Sequence, residues 1–157
     1  MIGIMSDSHD NIPNIRKAVE LFNRADCRLV IHAGDIVAPF AAQELKNLRC
    51  PVKAVFGNCD GENEGLTRVF QEIGEIKAAP LIFTFENLSF LVSHYPVEAE
   101  SCPEADVIIF GHTHRSQINR DGDRLLINPG ETCGWVKGVA TVALLDPNTR
   151  VVDVLIL

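Results

Sequence analysis

Short apolar runs rich in β-branched residues open the chain at Ile2–Met5 and recur at residues 29–31 and 52–56, each leading directly into polar residues or glycine. Runs of this length, bounded in this way, predict buried strands. Between the first two, Ile15, Ala18, Val19 and Phe22 fall at i, i+3, i+4 and i+7 within residues 14–24, and Pro13 suits a first helical turn, so an amphipathic helix is expected. After the second run Pro39 fits another helix start, Ala41, Leu45 and Leu48 make its apolar stripe, and Pro51 blocks continuation. The opening therefore reads β-α-β-α-β, which calls for parallel strands.

The second half changes character. Leu81–Phe85 and Leu88–Val92 are separated only by Glu86 and Asn87, the spacing of a tight hairpin. Further strands are expected at residues 107–110, 125–127, 139–145 and 151–157, with turns at Asp121-Gly122 and Asp146-Pro147-Asn148. The expected fold class is α/β, two mixed β-sheets packed face to face with helices outside. The 157 residues fit one domain spanning 1–157, with no repeat, low-complexity tract or linker. The segment 61–65 is the loop expected to move most.

Composition excludes more than it selects. An apolar share of 46% and a charged share of 22% are those of a globular chain. No apolar run approaches the roughly 18 residues of a membrane span, and no signal peptide is visible. Cys27, Cys50, Cys59, Cys102 and Cys133 are odd in number, widely spaced and contain no Cys-x-x-Cys pair, which argues against a disulfide framework and for a reducing cytoplasm. A net charge of −7 removes the basic face expected of a nucleic-acid binder.

Against that background five strings place metal-ligand types just past predicted strands: Asp7-Ser8-His9, Gly34-Asp35, Gly57-Asn58-Cys59-Asp60, Ser93-His94 and Gly111-His112-Thr113-His114. Residues beyond strand carboxyl ends converge on one crevice in open α/β sheets, and the preceding glycines are expected to let the backbone turn sharply. Each string has a bland counterpart, since Asp7 with Ser8 can cap a helix, Gly34-Asp35 can be a turn, and His94 or His32 can be a hydrogen-bonded core histidine. Four of the five histidines nevertheless sit in these strings, and His112 and His114 are separated by a single residue, a pairing that ligands explain better than core packing does.

The ordered set, together with residues 4–10 (Ile-Met-Ser-Asp-Ser-His-Asp) and Ile127-Asn128-Pro129-Gly130, resembles the calcineurin-like metallophosphoesterases, in particular the small prokaryotic YfcE-like phosphodiesterases, over nearly the whole chain. The resemblance implies that Asp7, His9 and His114 hold one divalent metal, Asn58, His94 and His112 a second, and that Asp35 bridges them. Manganese is the expected metal, and nickel, cobalt, iron or zinc suit the same donors. Two divalent ions about 3.5–4 Å apart lower the pKa of a shared water to roughly 7 and clamp the phosphoryl oxygens. Asn58, being neutral, preserves the positive charge that a phosphate needs.

Two positions depart from the wider family. Cys59 stands where a histidine usually follows the motif asparagine, and Pro96 where many relatives carry another histidine. A thiol is a weak donor, so good leaving groups are favoured. Asp60 is expected to orient a neighbour rather than bind metal, its bland reading being a loop or cap aspartate. The implied substrate is a small phosphodiester, with room for a homo-oligomer. The competing reading is a non-catalytic interaction scaffold of the same fold, as in a retromer subunit, and the full set of seven ligands argues against it.

Overall fold

The computed structural model describes residues 1–98, 102 and 104–157. In the first half, β1 (Ile2–Met5), β2 (Leu29–His32), β3 (Val52–Val55) and β4 (Gly74–Lys77) run parallel, joined by α1 (Ile12–Arg24), by α2 (Pro39–Ala42) with its 3-10 continuation Gln43–Asn47, and by α3 (Asn63–Phe70). In the second half, β5 (Leu81–Phe85), β6 (Leu88–Val92), β7 (Val107–Ile109), β8 (Ser116–Asp121) and β9 (Arg124–Pro129) form a second sheet in the order β5-β6-β7-β9-β8. The chain then returns to the first sheet, where β10 (Thr141–Leu145) and β11 (Val152–Ile156) add antiparallel to β1, giving β11-β10-β1-β2-β3-β4.

Alternation along the strands divides the apolar residues between two interfaces. Met5, Val30, Val52, Ala54 and Val142 face Ile15, Val19 and Phe22 of α1 and Leu66, Val69 and Phe70 of α3. Ile2, Ile4, Leu29, Ile31, Val55 and Ala143, on the other face, pack against Leu81, Phe90, Val92, Val107, Ile109, Leu125 and Ile127 of the second sheet. This is the expected pair of mixed sheets face to face, and both sheets bring strand carboxyl ends to the same edge. No described helix is long and apolar enough to cross a membrane.

Three elements went unread in the sequence. β8 is exposed at every position, and β4 is a four-residue edge strand with one buried side chain. The segment 61–65, expected to be a loop, enters α3 at Asn63, and Gly65 lies so close to Pro39 that a Cβ there would come within 2.5 Å of the proline ring. The hairpin falls where expected, with Glu86 (φ 49°) and Asn87 (φ 64°) both left-handed, as a type I′ turn requires.

Candidate metal centre

Six loops, each following a strand, meet at this edge: Asp7 and His9 after β1, Asp35 after β2, Asn58 to Asp60 after β3, His94 after β6, His112 and His114 after β7, and Glu131 after β9. The loops continue to hydrogen-bond to one another beyond the sheets. Asp7 N–H donates to Gly34 O (3.0 Å), His9 N–H to Asp35 O (3.1 Å), Gly111 N–H to His94 O (3.0 Å) and Cys133 N–H to Asp7 O (3.0 Å). This cross-bracing holds a cluster of left-handed residues that are not glycine: Asp7 (φ 50°), His9 (39°), Asp10 (57°), Asp35 (59°), His112 (65°) and His114 (58°). Each costs of order 1 kcal/mol and persists only where its surroundings over-determine it. His112 and His114 thus lie on a loop, not on an alternating strand.

The preceding glycines work differently from expectation at two of three places. Only Gly34 (φ +93°) has the left-handed backbone. Gly57 and Gly111 supply room instead, since a Cβ at 57 would strike Asp35 Oδ1 and one at 111 would strike Ser6 Oγ and lie 2.7 Å from Asp7 Oδ2.

The side chains converge in two overlapping groups. Asp35 Oδ2 lies 3.4 Å from His94 Nε2 and 3.5 Å from His9 Nε2. Asp7 Oδ1 lies 3.5 Å from His114 Nε2 and 4.0 Å from His9 Nε2, and the His9 and His114 rings stack at 5.3 Å. Asp7, His9 and His114 form one set of mutually close ligand atoms, and Asp7, Asp35 and His94 another. Asn58 Oδ1 is 2.9 Å from His94 Nε2. His112 stands at the exposed rim, its ring 5.1 Å from that of His94 and 4.6 Å from that of Tyr95.

The donor set fits a cation on an observation independent of residue type. His94 Nδ1 donates to Ala33 O at 2.8 Å, so a neutral ring turns an unprotonated Nε2 toward two oxygens, Asn58 Oδ1 and Asp35 Oδ2. His9 Nε2 is buried and, with Thr132 Oγ1, is one of two such side-chain atoms lacking a hydrogen-bond partner among the described residues. Lone pairs facing one another across a gap call for a positive charge between them.

The crowded groups also shift one another's pKa values. Burial raises the pKa of Asp7. Burial pushes Asp35 the same way, but the neighbouring His94 ring and the bond from the Cys59 N–H outweigh it and hold Asp35 well below the usual carboxylate range. Burial would lower His94, yet the Asp35 carboxylate and the Ala33 carbonyl raise it. Burial together with the Asp35 charge pushes the exposed Cys59 thiol up to about 11.

Around the converging groups, Asp60 accepts backbone N–H bonds from Gly57 (2.6 Å), Asp35 (3.0 Å), Ile36 (2.8 Å) and Val37 (2.7 Å), which ties the β2 and β3 loops together. Asn128 donates to Gly111 O (2.9 Å) and Thr113 Oγ1 (3.0 Å), fixing the loop of His112 and His114. His32 is fully buried beside Ser8, 2.9 Å away, and burial pushes its pKa down to about 3. Sequence reasoning passed over Glu131, a buried carboxylate 2.6 Å from His114 Nδ1. Gly130-Glu131 after β9 obeys the rule that singled out Gly34-Asp35, and that signal was there to find it.

The family model of the calcineurin-like phosphoesterase superfamily domain matches residues 1–150. Phosphodiesterase MJ0936 of Methanocaldococcus jannaschii is 39% identical over 156 residues, covering 95% of this chain and 94% of its own length. Phosphodiesterase YfcE of Escherichia coli K12 is 26% identical over 142 residues, with 80% and 75% covered. The solved structure of a novel archaeal phosphodiesterase superposes with a TM-score of 0.92 at 36% identity, covering 99% of both chains.

Proposed function

The chain belongs to the calcineurin-like phosphoesterase superfamily, and from that premise we propose that it is a metal-dependent phosphodiesterase with a dinuclear site, manganese being the foremost metal. The observation that carries this reading is the convergence on one gap of His9 Nε2, which has no hydrogen-bond partner among the described residues, with His94 Nε2, Asn58 Oδ1 and the carboxylates of Asp7 and Asp35. Asp7, His9 and His114 would hold one ion, Asn58, His94 and His112 the other, and Asp35 would serve both. Nickel, cobalt, iron or zinc suit the same mixture of imidazole and oxygen donors. When bound, the pair supplies a water of lowered pKa and positive charge for the phosphoryl oxygens.

The chain's own residues do the rest. Asp60 holds the Asp35 loop, the Ala33 carbonyl aims His94, and Asn58 adds a ligand without adding negative charge. Cys59 offers a thiol where the family usually has imidazole, and a thiol gives little help to an alkoxide leaving group. The substrate class is therefore a small phosphodiester with a good leaving group. The residues 1–157 are read as one domain, and five free thiols suit a cytoplasmic protein.

Two measurements test the proposal. Elemental analysis of manganese-saturated protein should give two ions per chain; a reproducible limit of one or none would remove the dinuclear site and favour the scaffold reading. A comparison of kcat/KM should rank an aryl diester above its aryl monoester and above an alkyl diester. Faster monoester turnover would defeat the substrate class, and an unchanged alkyl-to-aryl ratio in Cys59→His would defeat its assigned cause.

A further inference from the structure

We propose that Glu131 is a positioning residue that fixes the ring tautomer of His114, keeping its proton on Nδ1 and its Nε2 lone pair aimed at the Asp7 side of the crevice. The inference rests on the reading of His114 as a metal ligand, and its observations are independent of that reading.

Glu131 is fully buried. Its Oε1 accepts from the backbone N–H of Lys137 at 2.5 Å and of Val136 at 3.0 Å. Its Oε2 lies 3.0 Å from the same Val136 nitrogen, 3.4 Å from the Cys133 thiol, which donates to it, and 2.6 Å from His114 Nδ1. A backbone N–H can only donate, so both oxygens are committed as acceptors and the hydrogen between Glu131 and His114 belongs to the ring. A neutral imidazole carries one N–H. With that hydrogen on Nδ1, Nε2 is bare, and it lies 3.5 Å from Asp7 Oδ1 in a ring stacked on that of His9.

The same contacts exclude a rival use of this corner. His114, Glu131 and Cys133 are close enough to suggest another ion, but the carboxylate oxygen and the imidazole nitrogen are closed on each other by a hydrogen bond of 2.6 Å, well short of the roughly 3.3 Å that separates two ligands held about 2 Å from a tetrahedral ion.

A carboxylate is needed here, not merely a polar side chain. Glutamine at 131 has one oxygen and one NH2 group, while every neighbour on both sides is a donor. If its oxygen keeps the loop N–H groups, its NH2 faces Nδ1, which must then accept, and the ring proton moves to Nε2. The lone pair offered to the crevice is lost although nothing in the crevice has been mutated. An outer carboxylate also raises the basicity of the ligand it holds, and removing such partners typically costs 10- to 100-fold in metal affinity.

The test uses nitrogen-15 NMR of the metal-free protein and manganese binding isotherms, on wild type and on Glu131→Gln. The expected result is a wild-type His114 with its proton on Nδ1, a shift toward the Nε2–H form in Glu131→Gln, and about a 10- to 100-fold loss of affinity at one manganese site with the other within twofold. A wild-type ring protonated on Nε2 overturns the proposal, and that spectrum decides even if the variant does not fold. A folded Glu131→Gln with tautomer and both affinities unchanged also overturns it. So does an equal loss at both sites alongside a lowered melting temperature, which is what a loop clip alone would produce. Failure of wild type to bind manganese would overturn the metal-site reading instead, while the tautomer would still report on Glu131.

Discussion

The inter-sheet core and the crevice above it are built by the same strands under opposite rules. In β1, Ile2 and Ile4 are fully buried against the second sheet; three residues past Ile4, Asp7 is just as buried but charged, and left-handed. β2 repeats the change from Ile31 to Asp35, and β7 from Ile109 to His112. In the core, extended backbone and interchangeable apolar volume supply stability. In the crevice, positive φ and buried charge consume some of it, and the loops endure because strands below and hydrogen bonds between them leave no other arrangement. The difference separates the two roles: the core should control folding with little effect on chemistry, and the crevice the reverse.

The strongest attempt to break that division is Phe90→Ala. Phe90 is fully buried and stacked on Phe83 at 5.1 Å, so denaturant unfolding should show a loss of about 3–5 kcal/mol. Turnover per folded molecule should stay within about twofold. A large fall in turnover at full foldedness would mean that core and crevice are not separable.

Next comes Asp35→Asn, which keeps the shape and removes the carboxylate assigned to both metals. Turnover should fall by roughly 10²- to 10³-fold, the cost typical of losing one electrostatic contributor, and by more than in Asn58→Asp. Near wild-type turnover with both ions retained would dismiss the bridging role.

A smaller effect concerns His32, which belongs to both regions: a β2 residue packed under the site. Its folded pKa of about 3 lies below the ordinary 6.5, so the neutral ring favours the fold. That contribution is complete above pH 6.5 and is lost as pH falls toward 3. Chemical denaturation of the metal-free protein should therefore lose about 1.4 kcal/mol more per pH unit across this window than His32→Gln does. Parallel pH profiles for the two proteins would show that His32 does not carry the loss.

The smallest effect is the most pointed. Burial raises the folded pKa of Asp7 above 3.8, so its charge opposes folding at neutral pH and stops doing so below that value. Metal-free Asp7→Asn should melt at the wild-type temperature or up to about 3 °C above it while losing metal binding. A clear drop in melting temperature would mean that the crevice carboxylate stabilises the fold after all.

Where an apolar run decided an element, the sequence was legible. β1, the 81–92 hairpin and the buried face of α1, formed by Ile15, Ala18, Val19 and Phe22, lie where periodicity puts them, because burial fixes which residues must point inward. The site strings were legible for a related reason: a charged or imidazole residue directly after a buried strand can only stand at the strand's end. The edge strands β4 and β8 escaped this logic. Ser116–Asp121 has no buried side chain and is a strand because β9 offers it a ladder of backbone partners, which is a property of the neighbour.

By itself, then, the sequence determined the two-sheet plan and the residues gathered at one edge, since both follow from hydrophobic patterning and from where it stops. Only the tertiary structure decided what each polar group does there. Gly57 and Gly111 are required by the atoms of Asp35, Ser6 and Asp7 that crowd them, not by their own backbone angles. Asp60 gains its role from four N–H groups and Glu131 from His114 and a loop. A buried carboxylate has no function of its own until packing has chosen which donors surround it, and those donors come from residues distant in the chain.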